Sequence, residues 1–116
     1  MRDETHAEAH AFALDERLRA LAHPVRRQLV ADCLGAPRTA GDLVARCGLA
    51  AATVSEHLKV LRKTGLLLLD RDGRFWRYRA DPDAVRATAR ALDRLVEAAP
   101  GQGPDPPGGP VDRPAW

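Results

Sequence analysis

Aromatic residues are scarce in this chain of 116 residues, at 4% of the sequence. Hydrophobic residues nevertheless reach 45%, so the core of a single domain of this length must consist mainly of Leu, Val and Ala. Two cysteines are too few for the disulfide framework of a small secreted domain. No apolar run approaches the ~18 residues of a membrane-spanning helix, and the polar N-terminus lacks the apolar centre of a signal peptide. These absences predict a cytoplasmic protein.

A strong overall charge is also missing, since the formal net charge is only +2. The distribution is more informative than the total. Residues 53–79 include three acidic residues and seven basic ones: Lys59, Arg62, Lys63, Arg71, Arg74, Arg77 and Arg79. This stretch therefore has a local excess of positive charge, which favours a negatively charged partner.

The last eighteen residues differ from the rest. Residues 99–116 contain six of the nine prolines and four of the nine glycines, with Val111 and Trp116 as the only large apolar groups. Such a segment cannot bury enough surface to offset its chain entropy. We therefore expect one folded domain over residues 1–98 and a disordered Pro/Gly-rich tail over residues 99–116.

Apolar periodicity and capping residues predict a mainly α fold with five helices and one small β-hairpin. The helices are expected at about 4–20, 24–35, 39–47, 51–64 and 82–98. The hairpin is expected from strands 66–70 and 74–80 around an Asp-Gly turn at 71–73. In the last helix, Val85, Thr88, Leu92 and Leu95 recur at a three-four spacing that suits a helix–helix interface.

The third and fourth helices form a helix-turn-helix pattern. In the fourth helix, Val54, Leu58 and Leu61 define the inner face. Duplex DNA binding requires a helix in the major groove, side chains that reach base edges, and cations near phosphates. We predict that the interface comprises Thr53, Ser55, Glu56, His57, Lys59, Arg62 and Lys63 on the helix and Arg71 and Arg74 on the hairpin. The alternative is that these residues are only solvated charges on a small domain.

Three segments carry a resemblance to a known family: Leu21-Ala22-His23-Pro24-Val25-Arg26, Ala40-Gly41-Asp42-Leu43, and the run from Val54-Ser55-Glu56-His57-Leu58 to Thr64-Gly65-Leu66. Together with the aromatic strand Phe75-Trp76-Arg77-Tyr78, they resemble the arsenic-repressor (ArsR) family of winged-helix regulators. The resemblance implies a winged helix-turn-helix with a two-stranded wing. It also implies a homodimer, formed by the first and last helices, on a pseudo-palindromic operator. The chain departs from the family at Ala50, where a capping Ser is usual.

The resemblance also bears on the effector. Soft-metal sensors of the family carry thiols at the entry to the third helix, where this chain has Thr39-Ala40-Gly41. Sensors of zinc, cobalt or nickel carry Asp-x-His and, ten residues later, His-x-x-Glu on the last helix. This chain matches the outer acids with Asp81 and Glu97. Asp83 and Arg94 stand where the imidazoles would be, which argues against a standard site.

A different metal site is predicted from two histidines near the N-terminus. His6 and His10 are four residues apart, so one helical face could present both imidazoles to a single ion. Acids of the last helix, namely Asp81, Asp83 and Glu97, could add oxygen ligands. Such a donor set favours a divalent transition metal, with nickel before zinc or cobalt. The alternative is that both histidines are ordinary polar residues at a frayed helix start.

The two cysteines, His23 and the alternative classes of function remain to be considered. Cys33 and Cys47 fall on buried faces and are expected to pack in the core, with a thiol-redox switch or metal ligation as alternatives. His23 is expected to be structural. Catalytic motifs are lacking, so the chain is predicted not to be an enzyme. The alternatives to a metal-controlled regulator are an effector-independent or redox-responsive repressor and a winged-helix protein-interaction module, with an unidentified protein co-regulator as a further partner.

Overall fold

A computed structural model describes the backbone of residues 2–99 and the side chains of residues 11–99. The elements follow the predicted order, with one short strand in addition to the expected set. They are α1 Arg2–Leu21, α2 Pro24–Gly35, β1 Arg38–Thr39, α3 Ala40–Cys47, α4 Ala51–Lys63, β2 Leu67–Asp72, β3 Phe75–Ala80 and α5 Pro82–Ala98.

The core is aliphatic, as the scarcity of aromatic residues requires. Its side chains come from every described helix and from the wing: Ala20, Leu29, Val30, Cys33, Leu43, Val54, Leu58, Leu61, Leu66, Leu67, Ala80 and Ala84. Four aromatic side chains lie among residues 11–99, and three of them, Phe12, Phe75 and Trp76, are exposed. The helices are therefore held together by leucine and valine packing.

The turn between α3 and α4 follows from local chemistry. The Thr39 hydroxyl accepts a hydrogen bond from the backbone N–H of Asp42 at 3.2 Å, which caps α3 as predicted. Gly48 ends that helix with φ of +67°, in the left-handed region that glycine adopts without strain. Ala50 precedes α4 without a side-chain cap. Val54, Leu58 and Leu61 then bury the inner face of α4, as their spacing predicts.

The wing is a three-stranded antiparallel sheet in the order β1-β3-β2, one strand more than predicted. β1 has only two residues, too few for a periodic pattern, and Arg38 and Thr39 pair with Tyr78 and Arg77 of β3. The hairpin turn also differs from the expectation. Asp72 pairs with Phe75, which leaves Gly73-Arg74 as a two-residue loop. Gly73 has φ of +62°, as the first position of a type II′ turn requires.

The last helix is buried at its start and exposed at its end. Thr88 is buried and bonds back to the carbonyl oxygen of Ala84, whereas Leu92, Leu95 and Val96 are 47%, 68% and 65% exposed. Phe12 of α1, the helix that packs beside α5, is 68% exposed. We call Phe12, Leu92, Leu95 and Val96 the apolar face. Exposed apolar side chains that gather on neighbouring helices are typical of interaction surfaces.

Two further features bear on the predicted organisation. α5 ends at Ala98, and the tail that was predicted from residue 99 onward lies, except for Ala99, outside the described residues. Over the part of the chain that the structure describes, no helix is long and apolar enough to cross a membrane.

Candidate nucleic-acid interface

The outer face of α4 presents a continuous polar surface. Because Val54, Leu58 and Leu61 are almost fully buried, the opposite side of the helix must point away from the domain. All but one of the predicted contact residues of α4 are exposed, namely Thr53, Ser55, Glu56, Lys59, Arg62 and Lys63. The cations occupy the C-terminal half, and the small hydroxyl residues occupy the N-terminal half. This arrangement puts short polar side chains where a helix first enters a groove.

His57 is the exception, because it lies at the edge of the buried face. It is half-buried, three residues after Val54 and four before Leu61. Its Nδ1 accepts a hydrogen bond from Nε of Arg26 at 3.1 Å. The His23 ring packs beside it, with ring centroids 4.6 Å apart and planes tilted by 57°. The sequence prediction placed His57 fully on the outer face; the structure ties it to the start of α2.

The surroundings of His57 disfavour its protonated form. Partial burial lowers the pKa of His57, and the neighbouring His23 and Arg26 lower it further by charge repulsion. These surroundings favour the neutral imidazole. Nδ1 of His23 is buried and has no hydrogen-bond partner within residues 11–99. The contact of the His23 ring with His57 joins the start of α2 to α4.

The wing carries the two arginines that the sequence singled out. Arg71 pairs with Trp76 across the hairpin, and its guanidinium lies 4.4 Å from the centroid of the indole ring. This cation–π contact favours one orientation of the exposed arginine. Arg74 is exposed in the loop itself rather than on the strand where the alternation placed it. Both cations stand at the tip of the wing, where a phosphate backbone could approach.

The other wing cations are neutralised by neighbouring acids. Arg77 lies 2.6 Å from the carboxylate of Asp72, and Arg79 lies 3.0 Å from that of Asp70. The pKa of Arg79 is raised by its hydrogen bond to Asp70. The positive excess that the sequence shows over this stretch is therefore concentrated in α4 and the wing tip, on the residues predicted for the interface.

The predicted acidic metal ligands do not converge within one chain. Asp81 caps α5 by accepting a hydrogen bond from the backbone N–H of Asp83 at 3.0 Å, and Asp83 lies 3.7 Å from Arg86. Glu97 stands in the last turn of the same helix, fourteen residues beyond Asp83 and about 21 Å away at 1.5 Å per residue. No group of three or more His, Cys, Asp or Glu side chains that could hold an ion occurs among the described residues. The side chains of His6 and His10 lie outside those residues.

The two cysteines lie in or beside the core. Cys33 is buried on α2, and burial with the nearby Asp32 carboxylate raises its pKa to about 11. Cys47 is half-buried at the end of α3, and burial likewise raises its pKa. Thiols of this kind are poor nucleophiles near neutral pH. Both observations favour core packing over the redox alternative.

Comparison with known proteins places this geometry in a family. Residues 21–70, which contain α2 to α4 and part of the wing, match the family described as a helix-turn-helix domain. The chain is 38% identical over 90 residues to the HTH-type transcriptional regulator CmtR of Mycobacterium bovis, a match that covers 78% of this chain and 74% of CmtR. An ArsR-like transcriptional regulator from Rhodococcus sp. RHA1 superposes with a TM-score of 0.71 at 27% identity, over 76% of this chain and 83% of that one. The chain belongs to the ArsR family of helix-turn-helix transcriptional regulators.

Membership of the ArsR family confirms the predicted fold class and family resemblance. These relatives are transcriptional regulators, which confirms the prediction that the chain is not an enzyme. A winged helix-turn-helix DNA-binding domain from Mycobacterium bovis, described as homodimeric, shares the fold with a TM-score of 0.62 at 20% identity, over 87% of this chain and 92% of that one.

Sequence reasoning missed the partners of the interface residues. The contact of Arg26 with His57 joins residues 31 positions apart, which no local periodicity reveals. The stacking of Arg71 on Trp76 depends on the hairpin register, and the predicted three-residue turn gave a different register. One signal was available: His57 follows Val54 by three residues and precedes Leu61 by four, which places it beside the buried stripe of α4.

Proposed function

We propose that this ArsR-family chain is a homodimeric transcriptional regulator that binds a pseudo-palindromic operator through α4 and the wing. The main support is the exposed polar face of α4, which three buried side chains on the opposite side turn outward, together with the exposed cations Arg71 and Arg74 of the wing tip. A two-fold dimer would present two such helices to successive major-groove segments, with half-sites about 34–36 Å apart.

The apolar face supports the homodimer part of this proposal. It lies on α1 and α5, the helices through which the ArsR resemblance implies dimerisation. Beside it runs a groove of about 410 Å³ between the two helices, lined by small side chains of both and by Arg17 and Arg94. A second copy of the chain would cover this apolar surface and contribute a second α4 and wing for DNA binding.

Binding to a labelled duplex from the chain's own promoter region tests the DNA-binding part. We expect Ser55→Ala to weaken specific binding by about 1–3 kcal/mol and to relax sequence preference, because Ser55 would face base edges. Gln28→Ala, on the exposed surface of α2, is the matched control and should bind as the original protein does. If the duplex is bound no better than a random one, and Ser55→Ala changes neither, the chain is instead an interaction module on a winged-helix scaffold.

The effector part of the proposal remains a divalent transition metal, nickel before zinc or cobalt. Its support is the pair of imidazoles at His6 and His10. The acids of α5 stand at opposite ends of that helix, so they cannot form a site together within one chain. Calorimetric titration of nickel into the original protein and into a His6→Ala, His10→Ala double variant tests the site. Equal nickel affinity in both proteins would show that these histidines are not metal ligands. An operator affinity that does not change at saturating nickel would exclude control by nickel.

A further inference from the structure

Arg26, near the start of α2, makes a polar contact with His57 of α4. Arg26 is half-buried, and its Nε lies 3.1 Å from Nδ1 of His57. A guanidinium can only donate hydrogen bonds and stays protonated at any physiological pH. The imidazole nitrogen that it meets must therefore be an unprotonated acceptor.

This contact determines where the imidazole carries its proton. With Nδ1 occupied as an acceptor, a neutral ring must carry its single hydrogen on Nε2. Within residues 11–99, Nε2 of His57 has no hydrogen-bond partner and is not among the buried polar atoms. The ring thus shows an N–H donor on the side away from Arg26.

We propose that Arg26 is a positioning residue for DNA recognition: it holds His57 in the tautomer that presents an Nε2–H donor from α4 to a hydrogen-bond acceptor of the duplex. The acceptor is either a base-edge atom, such as guanine N7 or O6, or a phosphate oxygen. The inference rests on the proposed function, because it assumes that α4 faces the DNA.

The surroundings keep this arrangement intact at neutral pH. The charged and titratable groups that act on His57 are His23 and Arg26, and both oppose its protonation. A doubly protonated ring would place an N–H of His57 against the N–H of Arg26 and break the contact. His23, packed at 4.6 Å, also restricts rotation of the ring.

The tautomer can be measured without DNA. In the ¹⁵N-labelled original protein, long-range proton–nitrogen NMR spectra should show His57 in the Nε2–H form. Arg26→Met keeps much of the stem but removes the donor, and we expect a mixture of tautomers and a higher pKa for His57. Arg26→Gln restores an N–H donor and should restore the single tautomer. Arg27→Met removes the same charge from the neighbouring position and is the control. A mixture of tautomers in the original protein would overturn the proposal.

A double-variant cycle on operator affinity separates positioning from direct contact. We expect Arg26→Met and His57→Ala each to weaken binding by about 5- to 150-fold, and the double variant to be no weaker than His57→Ala alone. Additive losses would show that Arg26 contacts DNA by itself and would overturn the proposal. If these variants lose affinity only for the operator, the acceptor is a base-edge atom. If they lose affinity equally for a random duplex, the acceptor is a phosphate oxygen.

The two proposals fail in different ways. If the original protein binds no duplex, the proposed function is wrong, whereas the NMR result still decides whether Arg26 sets the tautomer. If Arg26→Met does not fold, the Arg26→Gln variant and the spectra of the original protein carry the test.

Discussion

The side chain of Arg17 on α1 donates from Nε to the main-chain carbonyl oxygen of Thr64 at 3.0 Å, directly after the last residue of α4. Carbonyls at the end of a helix have no intrahelical partner and carry partial negative charge, so a guanidinium there satisfies one of them and complements the helix dipole. Arg17 also lines the groove between α1 and α5. Arg17 therefore links the proposed dimer surface to the end of α4.

We expect Arg17→Met to lower the free energy of unfolding by about 1–2 kcal/mol, since it leaves the Thr64 carbonyl without its partner. Arg19→Met is the control: its side chain is 72% exposed and pairs with Glu16 in the same helix. That change should cost less than about 0.5 kcal/mol. Urea denaturation measures both, and equal stabilities of the two variants would contradict the assigned role of Arg17.

The dimer proposal predicts that Leu92→Asp yields a monomer, because it would place an unpaired charge inside the covered apolar face. Leu34→Asp provides a matched control. Leu34 is 46% exposed on α2, against 47% for Leu92 on α5, but it lies outside the apolar face. Sedimentation equilibrium at micromolar concentration should show a dimer for the original protein and for Leu34→Asp. A monomeric original protein would refute the proposal.

The wing tip should act on DNA through charge alone. Arg71→Ala and Arg74→Ala are each expected to weaken binding to operator and random duplex alike, and to reduce the slope of log K against log salt by about 1. Arg90→Ala, an exposed cation of α5, controls for the loss of one positive charge. Binding measured between 50 and ~200 mM salt gives the slopes. Unchanged slopes in both wing variants would show that the wing does not meet phosphate.

The stability of the protein should depend on the titration of His57. Because its pKa is lowered in the folded state, the unfolded chain binds more protons once the pH falls below about 6.5. The free energy of unfolding should therefore drop between pH 7.5 and pH 5. In His57→Gln, whose amide oxygen can still accept from Arg26, the drop should be smaller. Denaturation curves at both pH values compare the variants, and an equal drop would exclude His57 as a contributor.

Cys33 should resist alkylation in the folded protein. With a pKa raised to about 11, very little of the thiol is ionised at pH 8, and the side chain is buried as well. The same raised pKa means that the free energy of unfolding falls as the pH rises from about 9 towards 11. Mass spectrometry after iodoacetamide treatment should show slow labelling of Cys33 in buffer and fast labelling in urea. Rapid labelling in buffer would revive the redox alternative.

The helices were predictable because their signals are local. The stripe of Val54, Leu58 and Leu61 and the capping of α3 by Thr39 depend on residues within one or two turns, and the structure shows both. β1 was not predictable, since two residues carry no periodicity and pair with a strand almost forty residues away. The contact between Arg26 and His57 could not be predicted either, because the two residues are 31 positions apart in the sequence.

Thr39 has a double role that bears on how the molecule can respond to a signal. Its backbone pairs with Arg77 in the wing, and its hydroxyl caps α3. The wing is thereby clamped to the helix-turn-helix at the residue where α3 begins, so bending one without the other would break a strand pair or a cap. We therefore expect the wing and the helix-turn-helix to move as one unit. In the proposed homodimer, an effector would act by changing the distance between two such units, and α1 and α5 would set that distance.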